Sequence, residues 1–168
     1  MRLGQEIQAV PRAPELSEAG AQVDALDVIV GIVRDSASRV LIGQRPEGKH
    51  MAGFWEFPGG KLLASEPPLA GLRRELYEEL GIVVGAAEPL LAQTHRYPER
   101  VVRLDIWWIL DYAGEARPRE GQRLRWVDVD ELAEAPLLPA DTPIVAAVRQ
   151  RLARGSSRAI ASRAPERT

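Results

Sequence analysis

Residues 60–82 read GKLLASEPPLAGLRRELYEELGI, and this stretch decides the fold. Its leucines recur at helical spacing and predict an amphipathic helix that packs against a core: Leu69, Leu72, Leu76 and Leu80. Pro67 and Pro68 suit a first helical turn, and Ser65 before them is the expected N-cap. Gly81 suits the C-terminal stop. The stretch therefore predicts one helix between two loops.

Three glutamates lie on one flank of this predicted helix. At about 100° per residue, Glu75, Glu78 and Glu79 fall side by side next to the leucines. Like charges at these spacings repel each other in an isolated helix, and packing does not require them. A bound divalent cation would require such a cluster, because Mg²⁺ takes oxygen ligands, commonly a few carboxylates plus substrate phosphates. The simpler alternative is a solvated helix face, which is what most runs of charge are.

Residues beside the glutamates suit a metal site as well. Arg74 is four residues before Glu78, where its guanidinium can orient a glutamate through a charge-assisted hydrogen bond. Gly59 and Gly60 would let the backbone approach the site closely, with a carbonyl as a further ligand. Glu66 is expected at the helix start, where a carboxylate meets the helix dipole favourably.

Length and composition predict one domain with two tails. The chain has 168 residues, 45% of them hydrophobic, and its net charge of −2 gives no basic footprint for polymeric nucleic acid. We expect a flexible extension at 1–24, a domain at 25–153 and a basic, disordered tail at 154–168. The absence of cysteine excludes disulfides, zinc–thiolate sites and thiol nucleophiles. With no signal-peptide pattern and no apolar run of membrane-spanning length, a cytoplasmic protein without a membrane partner is expected.

Apolar runs separated by turn residues predict the remaining elements. Strands are expected at 27–33, 39–45, 82–84, 90–95, 101–110 and 124–127, with a helical turn at 130–133 and a last helix from Pro143 to Leu152. Mixed strands with one helix between them and one at the end indicate a layered α/β or α+β sandwich.

The complete spacing of residues 60–82 fits the Nudix box, and the chain resembles the MutT branch of the Nudix hydrolases over residues 26–152. Further matching stretches are 30–33, 44–46, 50–52, 55–61, 120–122, Trp126 and 138–143. The resemblance implies an α/β/α sandwich around a mixed sheet and dependence on Mg²⁺, with Mn²⁺ able to substitute. It also implies removal of pyrophosphate from a nucleoside triphosphate, which leaves the monophosphate. The best-known member of the branch clears 8-oxo-dGTP from the nucleotide pool. This nucleotide pool sanitation is counted among DNA repair functions.

The resemblance also implies roles for individual acidic residues. Glu75, Glu78 and Glu79 are similar to the metal ligands and base region, with Arg74 as their orienter. The Gly59 carbonyl is similar to a ligand carbonyl. Glu120 resembles the extra carboxylate that completes the metal site or helps to activate water, and its alternative is a solvated loop glutamate.

Four residues are similar to substrate contacts of the branch. Arg45 resembles the arginine that reaches the 8-oxo oxygen or nearby phosphates, and its alternative is a surface arginine at a strand end. Phe57 resembles a pocket wall, or is plain core. Lys61 is placed to meet a phosphate, or is an exposed lysine after a turn. Arg100 is a weaker candidate for contact with the base.

Asp141 departs from the best-known bacterial enzyme, which has an asparagine at this position. An ionised aspartate only accepts hydrogen bonds, whereas an amide also donates. Asp141 suits the N7–H of 8-oxoguanine, and equally the amino group of cytosine, so the base stays undecided. Its alternative role is the N-cap of the last helix, because Asp141-Thr142-Pro143 has that pattern.

Three functions follow in order. The first is a Mg²⁺-dependent pyrophosphohydrolase of nucleoside triphosphates, with 8-oxo-dGTP as the leading substrate. The second is the same chemistry on CTP or a modified cytosine nucleotide. The third is a non-hydrolytic nucleotide-sensing module, for which eroded box glutamates are expected, whereas all of them are present here. In each case the partner is a small nucleotide, and the sequence leaves the oligomeric state open.

Overall fold

The computed structural model describes residues 25–161, with side chains as far as residue 155. Nine strands and three helices follow in chain order within this range: β1 Ala25–Ile32, β2 Val40–Gln44, β3 Trp55–Glu56, β4 Gly59–Lys61, α1 Pro68–Leu80, β5 Val83–Val84, β6 Ala87–Tyr97, β7 Arg100–Ile109, β8 Tyr112–Ala113, β9 Arg123–Val127, α2 Val129–Glu134 and α3 Ile144–Ala161. The predicted extension at 1–24 lies outside the described residues.

The central sheet is mixed, as predicted. Its four strands are ordered β4-β1-β7-β6, and β1 runs parallel to β7 while the other neighbours are antiparallel. Strands β3, β2 and β9 form a second, antiparallel sheet, and β5 pairs with β8. The strands predicted at 90–95 and 101–110 are β6 and β7, and they form an antiparallel hairpin that turns between Tyr97 and Arg100.

Two apolar cores lie on opposite faces of the central sheet. Along β1, Ile29 packs into a cluster with the leucines of α1, whereas Val30 packs into a cluster with α2 and α3. This alternation follows from the strand, in which neighbouring side chains point to opposite faces. Helices therefore cover both faces, which confirms the predicted α/β/α sandwich.

Helix α1 follows the predicted pattern at its core face and its C-terminus but not at its start. Leu72, Leu76 and Leu80 are fully buried, and Gly81 ends the helix in the left-handed conformation. The predicted N-cap is wrong: Pro67 occupies that position with no side-chain cap, while Ser65 has φ 62° in the preceding turn. Glu66 lies two residues before the first residue of α1, and its carboxylate accepts from the Leu63 N–H and from Arg74.

Helix α3 extends past the predicted domain boundary at residue 153. It continues to Ala161, so residues 154–161 are helical rather than a disordered tail. Its alanines and arginines are strong helix formers, and they outweigh the single Gly155. Residues 162–168 lie outside the described part. No helix between residues 25 and 161 is both long and apolar enough to cross a membrane.

Two neighbouring positions of α1 test the contribution of its buried face. Leu76 is fully buried, whereas Tyr77 is 53% exposed. We expect Leu76→Ala to lower the free energy of unfolding by about 3 kcal/mol, because it removes buried methyl groups and leaves a cavity. Tyr77→Ala is the matched control, with a loss below about 1 kcal/mol. Urea denaturation measures both, and equal losses would contradict the assignment of the buried face.

Candidate active site

A cavity of about 500 Å³ opens beside the start of β4. Its walls come from the central sheet, α1, the loop after β2, the loop before β9 and the loop before α3. Most predicted site residues line it: Arg45, Phe57, Gly59, Lys61, Glu75, Glu79, Arg100, Glu120 and Asp141. Arg74 and Glu78 are the exceptions. Glu75 and Glu79 of α1 line the cavity beside Gly59 and Gly60, and Asp141 lines it beside Phe57; we refer to these two parts as its two ends.

Glu79 is the buried carboxylate of this site. Its Oε2 atom accepts a hydrogen bond from the Gly59 N–H at 2.9 Å. Burial, and then the negative charges of Glu56, Glu120 and Glu75, raise its pKa to about 8, and the Gly59 hydrogen bond opposes them. The charged form of Glu79 is therefore disfavoured until a cation compensates it.

Arg74 contacts three glutamates at once. Its guanidinium donates to both carboxylate oxygens of Glu66 at 2.8 Å, and to Glu75 at 2.7 Å. The contact with Glu78, which the sequence spacing suggested, is the longest at 3.4 Å. Arg74 also donates to the Lys61 carbonyl at 3.1 Å. One arginine thus fixes the loop before α1, the end of β4 and a carboxylate of the candidate metal site.

Two glycines let β4 lie close to its neighbours, Gly59 to β1 and Gly60 to α1. A Cβ atom on Gly60 would lie 2.1 Å from Glu75 Oε2, and one on Gly59 would lie 2.1 Å from the Ile29 carbonyl oxygen. Gly59 also has φ 154°, a conformation that other residues rarely adopt. The expectation that glycine allows a close backbone approach at this point is therefore confirmed.

The donor chemistry of this end fits a hard divalent cation. Glu75, Glu78, Glu79 and Glu120 offer oxygen ligands only, which is the preference of Mg²⁺. Among the described residues, no group of three acidic or histidine side chains converges closely enough to hold an ion as it stands. The reason is that Glu75 is engaged by Arg74 and Glu79 by Gly59, while Glu78 is 55% exposed. A bound cation would offset the mutual repulsion of these carboxylates.

Glu120 lies on the loop before β9, where it faces the same cavity. Its carboxylate is 48% exposed and 3.7 Å from the Lys49 Nζ atom. Its charge is one of those that raise the pKa of Glu79, which places it near the α1 carboxylates. Lys49 carried no signal in the sequence, because a lone lysine in a polar loop is common.

Asp141 is buried at the other end, with 4% of its surface exposed. Its Oδ2 atom accepts from the Phe57 N–H at 2.9 Å. Burial, followed by the charge of Glu56, raises its pKa to about 7, against the opposing effects of the Phe57 hydrogen bond and Arg45. The N-cap alternative is wrong for the side chain: within residues 25–155 the carboxylate receives no N–H from α3, and its backbone carbonyl accepts the Ile144 N–H instead.

Arg45 is not a free surface arginine. Its Nη1 atom lies 2.6 Å from Glu56 Oε2, and its Nε donates to the His50 carbonyl at 2.7 Å. Sequence reasoning missed Glu56, whose pKa is raised by burial despite the charge and hydrogen bond of Arg45. The sequence feature that could have revealed Glu56 is its position between two aromatic residues, Trp55 and Phe57, at the end of the short strand β3. Phe57 belongs to the apolar core and also borders the cavity.

Lys61 and Arg100, like Lys49, are exposed cationic residues that line the cavity. Arg100 Nε lies 4.0 Å from Glu99, a loose contact. Tyr97 lies beside them on the cavity wall, and sequence reasoning missed this residue as well. Its phenol lies edge-on to the rings of both His50 and His95.

The Glu66–Arg74 pair predicts a specific pH dependence of stability. Hydrogen bonds from Arg74 and from the Leu63 N–H lower the pKa of Glu66 from 4.5 to about 2. A lowered carboxyl pKa stabilises the folded state above the ordinary pKa, and this contribution is lost as pH falls toward 2. We therefore expect the difference in Tm between wild type and Glu66→Gln to be largest near neutral pH and to shrink below pH 4.5.

Thermal unfolding between neutral pH and pH 3 measures this difference. Glu134→Gln on the exposed side of α2 is the matched control, and its difference in Tm should stay small throughout. A difference for Glu66→Gln that did not change with pH would contradict the ion pair.

Several known proteins are similar to this chain in sequence. The family model for the NUDIX domain matches residues 29–147. A CTP pyrophosphohydrolase of Escherichia coli is 34% identical over 73% of this chain and 90% of its own length. An 8-oxo-dGTP diphosphatase of Proteus vulgaris is 40% identical over 57% of this chain and 86% of its own length.

Comparison of the fold with solved structures points to the same family. A solved MutT NUDIX hydrolase from Burkholderia pseudomallei superposes with a TM-score of 0.66 at 28% identity, over 76% of this chain and 98% of that one. Nudix hydrolases generally depend on divalent metal ions. The chain therefore belongs to the Nudix family.

Proposed function

We propose that this chain is a divalent-cation-dependent pyrophosphohydrolase of nucleoside triphosphates, with 8-oxo-dGTP as its leading substrate. It releases pyrophosphate and a nucleoside monophosphate. The observation that carries the proposal is that one cavity is lined by glutamates of α1 beside Gly59 and Gly60 and, beside Phe57, by the buried Asp141. The first end suits a metal–phosphate group and the second suits a base.

At the glutamate end, the metal is Mg²⁺, held by Glu75, Glu78, Glu79 and Glu120 together with the Gly59 carbonyl. When bound, such an ion neutralises phosphate charge and activates water. Arg74 holds Glu75 in place, and the Gly59 N–H holds Glu79. Lys61 at the edge of the cavity contributes positive charge for the phosphates.

At the base end, Asp141 is an acceptor fixed in an apolar setting. Its Oδ2 is taken by Phe57, and Oδ1 has no hydrogen-bond partner among the described residues, so it is available to a ligand. Arg45 and Arg100 line the same region, and Arg45 is held in place by Glu56. An acceptor beside arginines suits a base that presents both a donor and an acceptor, as 8-oxoguanine does with its N7–H and C8 oxygen.

A second candidate is a CTP or modified-cytosine pyrophosphohydrolase. The observation in its favour is Asp141 itself, because a carboxylate accepts equally well from the amino group of cytosine. The E. coli relative named CTP pyrophosphohydrolase supports the same alternative. Both candidates use the glutamate end in the same way and differ only at the base.

The protein acts on small nucleotides in this proposal, without polymeric nucleic acid or a membrane as a partner. The cytoplasmic location stays a prediction.

The proposal is tested first by kcat/KM on 8-oxo-dGTP, dGTP, CTP, dCTP and 5-methyl-dCTP with Mg²⁺, assaying pyrophosphate separately from phosphate. We expect pyrophosphate release, a preference for 8-oxo-dGTP over dGTP, and loss of turnover when EDTA removes the metal. A preference for a cytosine nucleotide would support the second candidate instead. Nucleotide binding without turnover of any of the five would favour a sensing module and overturn the proposal.

Glu78→Gln tests the metal end separately. Loss of one negative ligand should lower kcat by roughly two orders of magnitude, which corresponds to about 3 kcal/mol of transition-state stabilisation. The fold should be unaffected, because Glu78 is 55% exposed. Glu134→Gln on α2 is again the matched control, with normal kcat.

Titration with Mn²⁺ gives a second readout for this variant. We expect weaker Mn²⁺ binding to Glu78→Gln than to wild type. Near-normal turnover together with unchanged Mn²⁺ affinity would remove Glu78 from the metal site.

A further inference from the structure

The short loop 138–141 that carries Asp141 has no regular secondary structure, yet its backbone is held from two sides. At its start, the Leu138 N–H donates to the Trp55 carbonyl at 2.9 Å. Near its end, both polar groups of Ala140 are bound by side chains of β6. Gln93 Nε2 donates to the Ala140 carbonyl at 2.5 Å, and the Tyr97 hydroxyl accepts from the Ala140 N–H at 3.4 Å.

We propose that Gln93 and Tyr97 are positioning residues that set the place of Asp141 in the cavity and thereby the selection of the base. The inference rests on the proposed function, in which Asp141 contacts the base. Gln93 and Tyr97 act through Ala140.

The geometry of β6 suits this role. Gln93 and Tyr97 are four residues apart on a strand, so their side chains leave the same face, together with that of His95. These three are half-buried, whereas the intervening Thr94 and Arg96 are exposed. The ring centroids of His95 and Tyr97 are 4.5 Å apart, which supports the phenol laterally. β6 also pairs with β7 along its length, so the two side chains project from a firmly paired strand.

The peptide group that Gln93 binds is the one that leads directly into Asp141. Its carbonyl belongs to Ala140, and its N–H belongs to Asp141 and donates to the Leu138 carbonyl at 2.8 Å. The orientation of this peptide group sets the direction in which the Asp141 side chain leaves the backbone. The carboxylate then reaches the Phe57 N–H at 2.9 Å. Gln93 would therefore act on a bound base through the Ala140–Asp141 peptide group and the Asp141 side chain.

If the Ala140–Asp141 peptide group lost its hydrogen bond to Gln93, the Asp141 carboxylate would be less firmly held against the Phe57 N–H and would occupy a wider range of positions. Since Gln93, Tyr97 and Ala140 make no contact with the glutamates of α1 among the hydrogen bonds and ion pairs of the described residues, the metal end should be unaffected. The consequence is a change in base discrimination and KM with little change in kcat.

Gln93→Leu removes the donor at similar size, and Tyr97→Phe removes only the hydroxyl. We expect Gln93→Leu to reduce the ratio of kcat/KM for the preferred base over its nearest competitor by about fivefold, the effect of one lost hydrogen bond. The loss should be carried by KM. Tyr97→Phe should have a smaller effect, because its contact is longer. Thr94→Val, on the opposite face of β6, is the matched control and should keep the wild-type ratio.

A readout that does not depend on turnover separates this inference from the proposed function. The Phe57 amide proton reports the Asp141 contact directly, so its hydrogen exchange and NMR chemical shift are measured in wild type and in the three variants. We expect faster exchange at Phe57 in Gln93→Leu, a smaller effect in Tyr97→Phe, and none in Thr94→Val.

An unchanged Phe57 amide in both Gln93→Leu and Tyr97→Phe would overturn the positioning role, whatever the enzyme acts on. An altered amide with an unchanged base ratio in an active enzyme would overturn the link to base selection. If the wild type turned over none of the nucleotides, the proposed function would fail, and with it the link to base selection. The Phe57 amide would still decide whether Gln93 and Tyr97 position Asp141.

Discussion

The close approach of β4 to α1 is the constraint on which the site depends. Gly60 permits this approach, because a Cβ atom there would overlap the Glu75 carboxylate. Gly59 permits the pairing of β4 with β1, because a Cβ atom there would overlap the Ile29 carbonyl. The approach brings the Gly59 N–H within 2.9 Å of Glu79 and so holds a buried carboxylate against the end of a strand. The leucines on the other side of α1 fix the depth of the helix in the core. Packing and site geometry are thus set by the same helix.

Acidic residues gathered in this way require compensation, and two arginines supply it within the described residues. Arg74 binds Glu66 and Glu75 beside α1, while Arg45 binds Glu56 on the cavity wall. A guanidinium suits both places because its fork of N–H groups matches carboxylate oxygens at fixed geometry. Glu79 has no arginine partner among the described residues, and burial is the main cause of its raised pKa. A bound cation would therefore favour its charged form.

Much of the fold and the metal end could be predicted from sequence, because their signals are local. The leucine spacing, the Gly-Gly pair and the glutamate cluster all fall within about one helix and its flanking loops, and helical periodicity relates them directly. The base end depends on contacts between distant parts of the chain. Asp141 meets Phe57 across 84 residues, and Gln93 meets Ala140 across 47, separations at which no periodicity connects the partners. The end of α3 was mispredicted for another reason: a glycine interrupts a helix only weakly when strong helix formers surround it.

The replacement of an amide by a carboxyl at position 141 is less drastic in this structure than the sequence alone implies. An ionised aspartate only accepts, so from sequence it cannot imitate an asparagine that also donates. Burial raises the pKa of Asp141 from 3.8 to about 7, which favours the protonated carboxyl relative to an exposed aspartate. A protonated carboxyl carries one O–H donor and keeps acceptor capacity, and Oδ2 already accepts from the Phe57 N–H. In the proposed function, the burial of Asp141 therefore bears on base recognition as much as its formal charge does.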